Sequence, residues 1–394
     1  MKGARESVDG PAEDRAQVSL PSEKGMRART VARAAAVLAC AAVGLAPAPA
    51  MGRREGVRTE PDRPVARARL LMGTRLSIET VDPVSDGAFE AAFREVARLE
   101  GILSNWKPES ELSLLNDRAS KEWFRCSSDL YGAVRAALEW AARTGGAFDP
   151  TVEPLVRALG LRSADGIVPA AGGGAHAGTG MEIRPHGTGG PGGGRLPIGW
   201  RLVRLRASSR SLRFDAPGVG LDLGGIGKGI ALDAAARVLA RHGARAALLD
   251  FGGQILAIGR PHGTEGWPIG IANPSDRDTS VSVIHGMDIS MSTSGNGERA
   301  VEGTDGPIGH ILDPRMQRPA PFDGTVTVVA EDATAADALS TALFVMGPER
   351  GLRWAEDRRI AALYLWPGPD GTLGRKGTRA FYRRFPGMAR SPEH

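Results

Sequence analysis

Cysteine is scarce in this sequence of 394 residues, which contains only Cys40 and Cys126. If the N-terminal segment is removed after Ala50, as its pattern below indicates, Cys126 alone remains. A single cysteine excludes a disulfide within the chain and a metal site built on several thiolates. The sequence therefore suits an exported protein that depends on neither kind of cross-link.

Clustered positive charge and aromatic side chains are also lacking. The 50 Lys and Arg residues exceed the 45 Asp and Glu residues by a formal net charge of +5, but they are spread along the whole chain. Aromatic residues make up 5% of the chain, and no basic block interleaved with aromatics is present. The composition therefore gives no support for nucleic-acid binding. An apolar fraction of 42% with 24% charged residues is ordinary for a globular protein with a large core.

Residues 1–50 are predicted to form an N-terminal extension with a signal peptide. Met26, a possible true start, opens a basic stretch, and a short apolar run follows at 31–46 before small residues that end at Ala50. This order predicts export to the periplasm or to the outer face of the cytoplasmic membrane. The run is too short for a convincing membrane-spanning helix. The residues that end at Cys40 are similar to a lipoprotein processing site, so lipid attachment at Cys40 is one alternative and a disordered tail is another.

Apolar residues recur every three or four positions in segments that are predicted to be helices, at 85–103, 130–145, 230–243 and 334–347. Runs typical of strands lie at 70–80, 246–258, 268–272, 282–291, 325–330 and 360–366. This mixture predicts an α+β fold in which mixed sheets pack with helices, within one domain at 65–385. A glycine-rich stretch at about 163–198 lacks a periodic apolar pattern and is predicted to be a flexible surface insertion.

A glycine-rich turn, residues 220–229, lies between an apolar run and a predicted helix. Such a turn brings backbone amides and a helix N-terminus close to a phosphate. Gly229 follows Lys228 where a P-loop has Ser or Thr, and no G-x-G-x-x-G can be aligned, so neither familiar nucleotide loop is present. Lys228 is one of six lysines in a chain rich in arginine, which favours a pyrophosphate-binding role over a solvated side chain.

Asp337 and Thr341 lie four residues apart in the last predicted helix. This spacing places both oxygen-bearing side chains on one face of the helix. Oxygen ligands suit a hard cation, so the pair is predicted to bind Mg²⁺ beside a phosphorylated substrate. The alternative is an amphipathic helix in which Thr341 bonds its own backbone carbonyl.

Eight segments of this chain, in the same order, resemble the ApbE family, the FAD:protein FMN transferases. They are Met72-Gly73-Thr74, residues 103–116, 146–155, 222–233, 249–253, 292–295, 310–314 and 336–341. Each string is common by itself. Their shared order identifies the chain as a member of the family and implies an ApbE-like fold.

The resemblance implies an enzyme that cleaves FAD with Mg²⁺, attaches FMN through a phosphoester to a threonine of a target protein, and releases AMP. It implies that Asp337, Thr341 and the backbone carbonyl of Gly225 hold the metal. Asp222 and Lys228 match family contacts to the flavin nucleotide. The acceptor is expected to be a separate FMN-binding domain that carries the target threonine.

His310 is predicted to be the general base. A threonine hydroxyl is a poor nucleophile, so its attack on a charged diphosphate needs a cation, in-line positioning and a base. The family places a catalytic histidine just before an I-x-D-P segment, and an imidazole titrates near neutral pH. The alternatives are that His310 is only a hydrogen-bonded turn residue, or that Asp313 orients it or serves instead.

The flavin is expected to occupy an apolar slot with a few polar contacts. The positions that match the lining of this slot in the family are Met72, Trp106, Ala147, Phe148 and Asp149. Trp106 departs from the family, where tyrosine is frequent, and for Met72 and Phe148 packing in the core is an equal alternative. Thr293 and Ser294 are expected to lie in a polar turn and to bond the substrate, although turn chemistry alone would explain them.

Two other functions use the same residues. One is a Mg²⁺-dependent FAD hydrolase that gives FMN and AMP, with water as the nucleophile. The other is a non-catalytic exported protein that binds flavin or is related to thiamine. The intact set of Lys228, His310, Asp337 and Thr341 argues against the non-catalytic alternative.

Overall fold

The computed structural model describes residues 64–161, 194–276, 278–295, 300–303, 306–368, 370 and 372–388. The predicted signal peptide, the possible start at Met26 and Cys40 lie outside the described residues, as does the predicted insertion up to residue 193. The domain predicted at 65–385 falls within the described range apart from these gaps.

The strands are numbered here in chain order. They are β1 (Val65–Leu71), β2 (Thr74–Thr80), β3 (Phe124–Arg125), β4 (Val203–Arg206), β5 (Ser211–Phe214), β6 (Ala247–Phe251), β7 (Gln254–Ile258), β8 (Trp267–Ala272), β9 (Ser280–Gly286), β10 (Ile289–Gly295), β11 (Ala300–Gly303), β12 (Gly306–Gly309), β13 (Leu312–Asp313), β14 (Arg318–Pro319), β15 (Thr325–Ala330), β16 (Ala361–Pro367) and β17 (Leu373–Gly377). Eight of them form the main sheet, in the order β1-β2-β6-β7-β10-β15-β16-β17. Every neighbouring pair in this sheet is antiparallel.

The helices are also numbered in chain order. They are α1 (Asp86–Leu103), α2 (Glu111–Arg118), α3 (Ser128–Arg143), α4 (Glu153–Ala158), α5 (Gly227–Arg241), α6 (Ala333–Asp357) and α7 (Arg379–Arg384). None of these described helices is both long enough and apolar enough to span a membrane. The combination of helices with antiparallel sheets confirms the predicted α+β class.

Period-two alternation along the strands gives the main sheet two apolar faces. On β6, Leu249 and Phe251 are fully buried and pack on one face with residues of α1, α5 and α6. On the other face Trp267 of β8 and Phe381 of α7 belong to a second core cluster with Met291 of β10. The sheet therefore separates a helical layer from a layer made by the β8–β9 hairpin and α7.

The predicted helices at 85–103, 130–145 and 230–243 correspond to α1, α3 and α5. The helix predicted at 334–347 continues to Asp357, although Gly347 (φ 72°) and Pro348 interrupt its regular geometry. Because Pro348 has no N–H, the helix cannot continue without this break.

Three predicted strand runs are each divided by a turn. The run at 70–80 turns at Met72 and Gly73, which have φ of 46° and 74°. The run at 246–258 turns at Gly252 and Gly253, and the run at 282–291 turns at Met287 and Asp288. These tight turns lie inside apolar sequence, so hydrophobic periodicity alone did not separate the strands on either side.

Residues 194–198, predicted to end the surface insertion, lie against the folded body. The Leu196 N–H donates to Gln317 Oε1 at 3.0 Å, and Gln317 Nε2 donates back to the Leu196 carbonyl at 2.9 Å. Leu196 and Ile198 also pack on a small apolar cluster that contains Leu155 and Leu312. This end of the predicted insertion is therefore held by specific contacts.

We predict that Tyr364→Phe lowers the free energy of unfolding by about 1–3 kcal/mol, because it leaves a buried carbonyl without its donor. Tyr364 is fully buried, and its hydroxyl donates to the Leu343 carbonyl at 2.7 Å, one turn before the break in α6. Urea denaturation measures the change. The matched control is Tyr382→Phe, since the described residues give that hydroxyl no hydrogen bond, and it should change stability by less than about 0.5 kcal/mol. Equal losses in the two variants would contradict the assignment.

Candidate active site

The glycine turn, residues 220–229, lies directly against α6. A Cβ atom at Gly225 would lie 3.0 Å from Thr341 Oγ1 and 3.2 Å from Phe148 Cε2. A Cβ atom at Gly229 would overlap the backbone of Ala333 at the start of α6. A side chain at Gly229 would therefore push the turn away from the helix, whereas one at Gly225 would require the Thr341 or Phe148 side chain to shift.

Asp337 meets the glycine turn through both of its carboxylate oxygens. The side chain is 3% exposed, the Gly229 N–H donates to Oδ2 at 3.0 Å, and Lys228 Nζ lies 3.7 Å from Oδ1. Thr341 lies one turn further along α6, beside Gly225. The structure thus brings together Gly225, Lys228, Asp337 and Thr341, which the sequence analysis had assigned to metal and phosphate binding.

Asp233 fixes the start of α6 relative to α5, and Asp332 caps α6 itself. Asp233 of α5 accepts hydrogen bonds from the Ala333 N–H at 2.9 Å, the Thr334 N–H at 3.0 Å and the Thr334 hydroxyl at 2.5 Å. Asp332 caps the same helix by accepting from the Ala335 N–H at 2.7 Å. Burial raises the pKa of Asp233, and the hydrogen bonds from Ala333 and Thr334 oppose this rise. Sequence reasoning gave Asp233 no role, although it ends one of the family segments.

Asp222 lies near the start of the glycine turn, and two hydrogen bonds hold it in place. Its Oδ1 accepts from the Gly224 N–H at 2.7 Å, a hydrogen bond typical of an Asx turn. Its backbone N–H donates to the Pro150 carbonyl at 2.7 Å. The half-buried Asp222 side chain therefore lies beside the turn that carries Ala147, Phe148 and Asp149.

The turn at Ala147, Phe148 and Asp149 is organised by the aspartate. Asp149 accepts hydrogen bonds from the Thr151 N–H at 2.9 Å, the Thr151 hydroxyl at 2.6 Å and the Trp200 N–H at 2.9 Å. Burial raises the pKa of its carboxyl, and these donors partly offset that rise. Phe148 is 4% exposed and its ring edge reaches Gly225. The turn therefore presents an aromatic ring to the glycine turn while Asp149 holds the backbone.

Met72 and Trp106 lie in two other loops. Met72 forms the tight β1–β2 turn, and the following Thr74 lies against Gly252, where a Cβ atom would be 2.6 Å from Thr74 Oγ1. Trp106 lies in the loop between α1 and α2 and is 49% exposed. Its indole face is thus accessible for stacking, whereas Met72 is half-buried against the core.

The expected polar turn at Thr293 and Ser294 is wrong, because both residues belong to strand β10. Ser294 and Ser292 face α6 and bond the Ser340 hydroxyl at 2.9 and 3.0 Å, while Ser340 donates to the Asp337 carbonyl at 3.0 Å. Thr293 points to the opposite face of the sheet, as alternation requires.

Thr293 lies apart from the glycine turn in its side-chain contacts. Its hydroxyl bonds the Thr327 hydroxyl at 2.8 Å, and it lines a separate cavity of about 320 Å³ together with Ser77 and Asp250. The structure therefore does not bring the Thr293 side chain to the Asp337 group. Ser340, which the sequence analysis did not single out, is the hydroxyl that links β10 to α6 there.

Asp313 is held by Arg315. Its carboxylate accepts from the Arg315 N–H at 2.9 Å and from the guanidinium Nε and Nη2 at 3.0 and 2.9 Å. Burial by itself raises the pKa of Asp313, but the Arg315 hydrogen bonds and charge outweigh it and lower the pKa below its usual value. A carboxylate with a lowered pKa is a weak proton acceptor, so this geometry favours His310 over Asp313 as a base.

The half-buried His310 lies just before Leu312, which packs in a cluster with Leu155 of α4. This contact places the His310 segment against the helix that follows the Phe148 turn.

Cys126 is buried, and desolvation raises its pKa to about 12, so its thiol does not suit a nucleophile.

The donor set around Asp337 fits a hard cation. The Asp337 carboxylate and the Thr341 hydroxyl offer only oxygen atoms, and the backbone of Gly225 lies beside Thr341. Within the described part of the chain, no group of three or more His, Cys, Asp or Glu side chains forms another metal centre. A site with few protein ligands suits Mg²⁺, because this ion usually keeps several waters and also binds phosphate oxygens of the substrate.

Comparisons with known proteins find chains of similar sequence and structure. The model of the ApbE family matches residues 72–364. A FAD:protein FMN transferase of Klebsiella pneumoniae (strain 342) is 30% identical over 328 residues, which cover 78% of this chain and 87% of that protein. The flavin transferase ApbE from Vibrio cholerae has a similar structure, with a TM-score of 0.68 and 27% identity over 82% of this chain and 99% of that one.

A second structure, the ApbE protein from Thermotoga maritima, matches with a TM-score of 0.66 and 26% identity, over 82% of this chain and 99% of that one. The family match spans every segment that forms the glycine turn, the Phe148 turn and the start of α6. The chain belongs to the ApbE family.

Proposed function

We propose that this protein is a Mg²⁺-dependent FAD:protein FMN transferase, which attaches FMN by a phosphoester bond to a threonine of an acceptor protein and releases AMP. The observation that carries the proposal is the convergence of Gly225, Lys228, Asp337 and Thr341 where α5 begins. Relatives that bear the name FAD:protein FMN transferase cover most of this chain and support the same activity.

Gly225, Asp337 and Thr341 would hold the cation through a carbonyl, a carboxylate and a hydroxyl. When bound there, Mg²⁺ offsets the negative charge of the diphosphate and of the leaving AMP. Lys228 lies near the Asp337 carboxylate and would add a positive charge beside the diphosphate. The N-terminus of α5, a helix of 15 residues, also favours an anion through its dipole.

The flavin half would lie between Trp106, Met72 and the Phe148 turn. The exposed indole of Trp106 offers a stacking face, and the buried Phe148 ring closes the slot on the side of Gly225. Asp222, at the start of the glycine turn, lies between the flavin and phosphate regions. These residues would bind and orient FAD so that the incoming hydroxyl meets the phosphorus of the FMN half, as the bond from that phosphorus to AMP breaks.

His310 would accept the proton of the acceptor threonine. Asp313 is engaged by Arg315, which leaves the imidazole as the better proton acceptor in this segment. The acceptor is proposed to be a separate FMN-binding domain. Export by the N-terminal signal, to the periplasm or to the outer face of the cytoplasmic membrane, with or without lipid at Cys40, would bring the enzyme to such a domain.

The decisive experiment incubates the protein with FAD, Mg²⁺ and a purified FMN-binding domain that carries an acceptor threonine. We expect AMP release together with a gain in acceptor mass equal to one FMN, and loss of that gain when the threonine is replaced. Intact-mass spectrometry and chromatography measure the two products. AMP release with an unmodified acceptor would instead make the protein an FAD hydrolase, and the absence of both products would leave a flavin-binding protein.

We predict that Asp337→Asn lowers the rate of AMP release about 10²-fold or more, because the cation loses its only carboxylate ligand among the described residues. Titration calorimetry should show weaker Mg²⁺ binding as well. The control is Asp332→Asn, the same chemical change on the same helix. Asparagine caps a helix as well as aspartate does, so this variant should keep near-normal activity. Equal losses in both variants would refute the metal assignment.

We also predict that His310→Gln slows transfer by about 10²-fold or more while FAD affinity stays near the wild-type value, since general base catalysis contributes that much. Single-turnover transfer and FAD titration separate the two effects. The control is His242→Gln, because His242 ends α5 and its ring nitrogen contacts the Val238 carbonyl at 2.9 Å. An unchanged transfer rate in His310→Gln would remove it as the base.

A further inference from the structure

The first residues of the glycine turn form a buried segment that has no strand neighbour among the described residues. Leu221 is fully buried, and residues 219–223 belong to none of the described sheets. A buried backbone N–H and C=O need hydrogen-bond partners, which a neighbouring strand would ordinarily supply. The Asp222 N–H finds a backbone partner in the Pro150 carbonyl, whereas side chains supply the partners of Leu221.

Asn116 of α2 takes the place of the missing strand. The Leu221 N–H donates to Asn116 Oδ1 at 2.8 Å, and Asn116 Nδ2 donates to the Leu221 carbonyl at 2.9 Å. An asparagine amide carries a donor and an acceptor in one plane, as a peptide group does. Asn116 therefore pairs with Leu221 as a single residue of a strand would.

Asn105 completes the arrangement from the neighbouring loop. Its Nδ2 donates to the same Leu221 carbonyl at 2.9 Å, and its Oδ1 lies 3.3 Å from Asn116 Nδ2. Both lone pairs of the Leu221 oxygen are thus used. We call Asn105 and Asn116 together the asparagine clamp.

The asparagine clamp joins two parts of the proposed site that are far apart in sequence. Asn105 directly precedes Trp106, and Leu221 directly precedes Asp222. Asp222 is fixed in turn by its N–H bond to the Pro150 carbonyl at 2.7 Å. The loop that carries the exposed indole is therefore tied to the start of the turn that carries Lys228.

We propose that Asn105 and Asn116 are positioning residues for FAD, which fix the spacing between the flavin side at Trp106 and the phosphate side at the glycine turn before the ligand binds. Fixing two subsites in advance reduces the ordering that binding must bring about. The inference rests on the proposed function, because that function places the two halves of FAD on these two segments.

Asn116→Asp tests the proposal with almost no change of shape. The aspartate still accepts from the Leu221 N–H, but it sets an oxygen against the Leu221 carbonyl in place of the donor. We expect FAD affinity to fall and the KM for FAD to rise, each by about tenfold or more, with a smaller change in kcat. This is the pattern expected when binding energy is lost. Amide hydrogen exchange of residues 219–226 in the ligand-free protein should become faster.

Two further variants grade the effect. Asn105→Asp should weaken FAD binding less, because Asn116 still donates to the Leu221 carbonyl. Asn273→Asp is the matched control, since the described residues engage only the acceptor oxygen of Asn273, which takes the Ser275 N–H at 3.0 Å in the loop after β8. An aspartate keeps that bond, so FAD affinity and exchange near residue 221 should match the wild type.

The outcomes separate this proposal from the proposed function. If Asn116→Asp matches the wild type in FAD affinity and in exchange of residues 219–226, the positioning role is wrong while the transferase assignment stands. Exchange that rises uniformly along the chain, with unchanged FAD affinity, would reduce the asparagine clamp to general stabilisation and also overturn the proposal. If the wild type binds FAD but transfers no FMN, the proposed function fails, and the affinity and exchange comparisons still decide the positioning role.

Discussion

The close approach of the glycine turn to α6 is the constraint on which the site depends. Gly229 lies against the Ala333 backbone, and Gly225 lies against Thr341, so the absence of side chains sets the distance between turn and helix. Only at that distance can the Gly229 amide reach the Asp337 carboxylate. Asp233 then secures the contact by capping the start of α6 from α5.

Side-chain hydrogen bonds to backbone groups hold the segments around the site that no sheet supports. The asparagine clamp serves Leu221, and Asp149 organises the turn that presents Phe148. Such bonds satisfy buried polar groups without adding a strand, which leaves the segment edges free to face a ligand. The main sheet supplies the rigid support, and the loops that these side chains hold in place share the site with the first turns of α5 and α6.

Much of the fold could be predicted from local pattern. Helical periodicity predicted α1, α3 and α5 because each buries one apolar face, and the α+β class followed from the strand-like runs between them. Division of those runs by turns at Met72 and Gly252 was missed, since positive φ angles leave little trace in hydrophobic pattern. The expected turn at Thr293 was wrong because polar residues in β10 face Ser340 on one side and Thr327 on the other.

The sequence by itself determined which residue types could bind a phosphate and a hard cation: the glycines around Lys228 and the i, i+4 pair of Asp337 and Thr341. Their ordered resemblance to one family also determined the fold. Only the tertiary structure decided that these segments meet. It also decided that Arg315 bonds the Asp313 carboxylate and that Asn105 and Asn116 bond the backbone of Leu221. The physical reason is that spacing within a helix or turn is local, whereas the contacts at Asp337 and Leu221 join residues about a hundred or more positions apart that packing alone brings together.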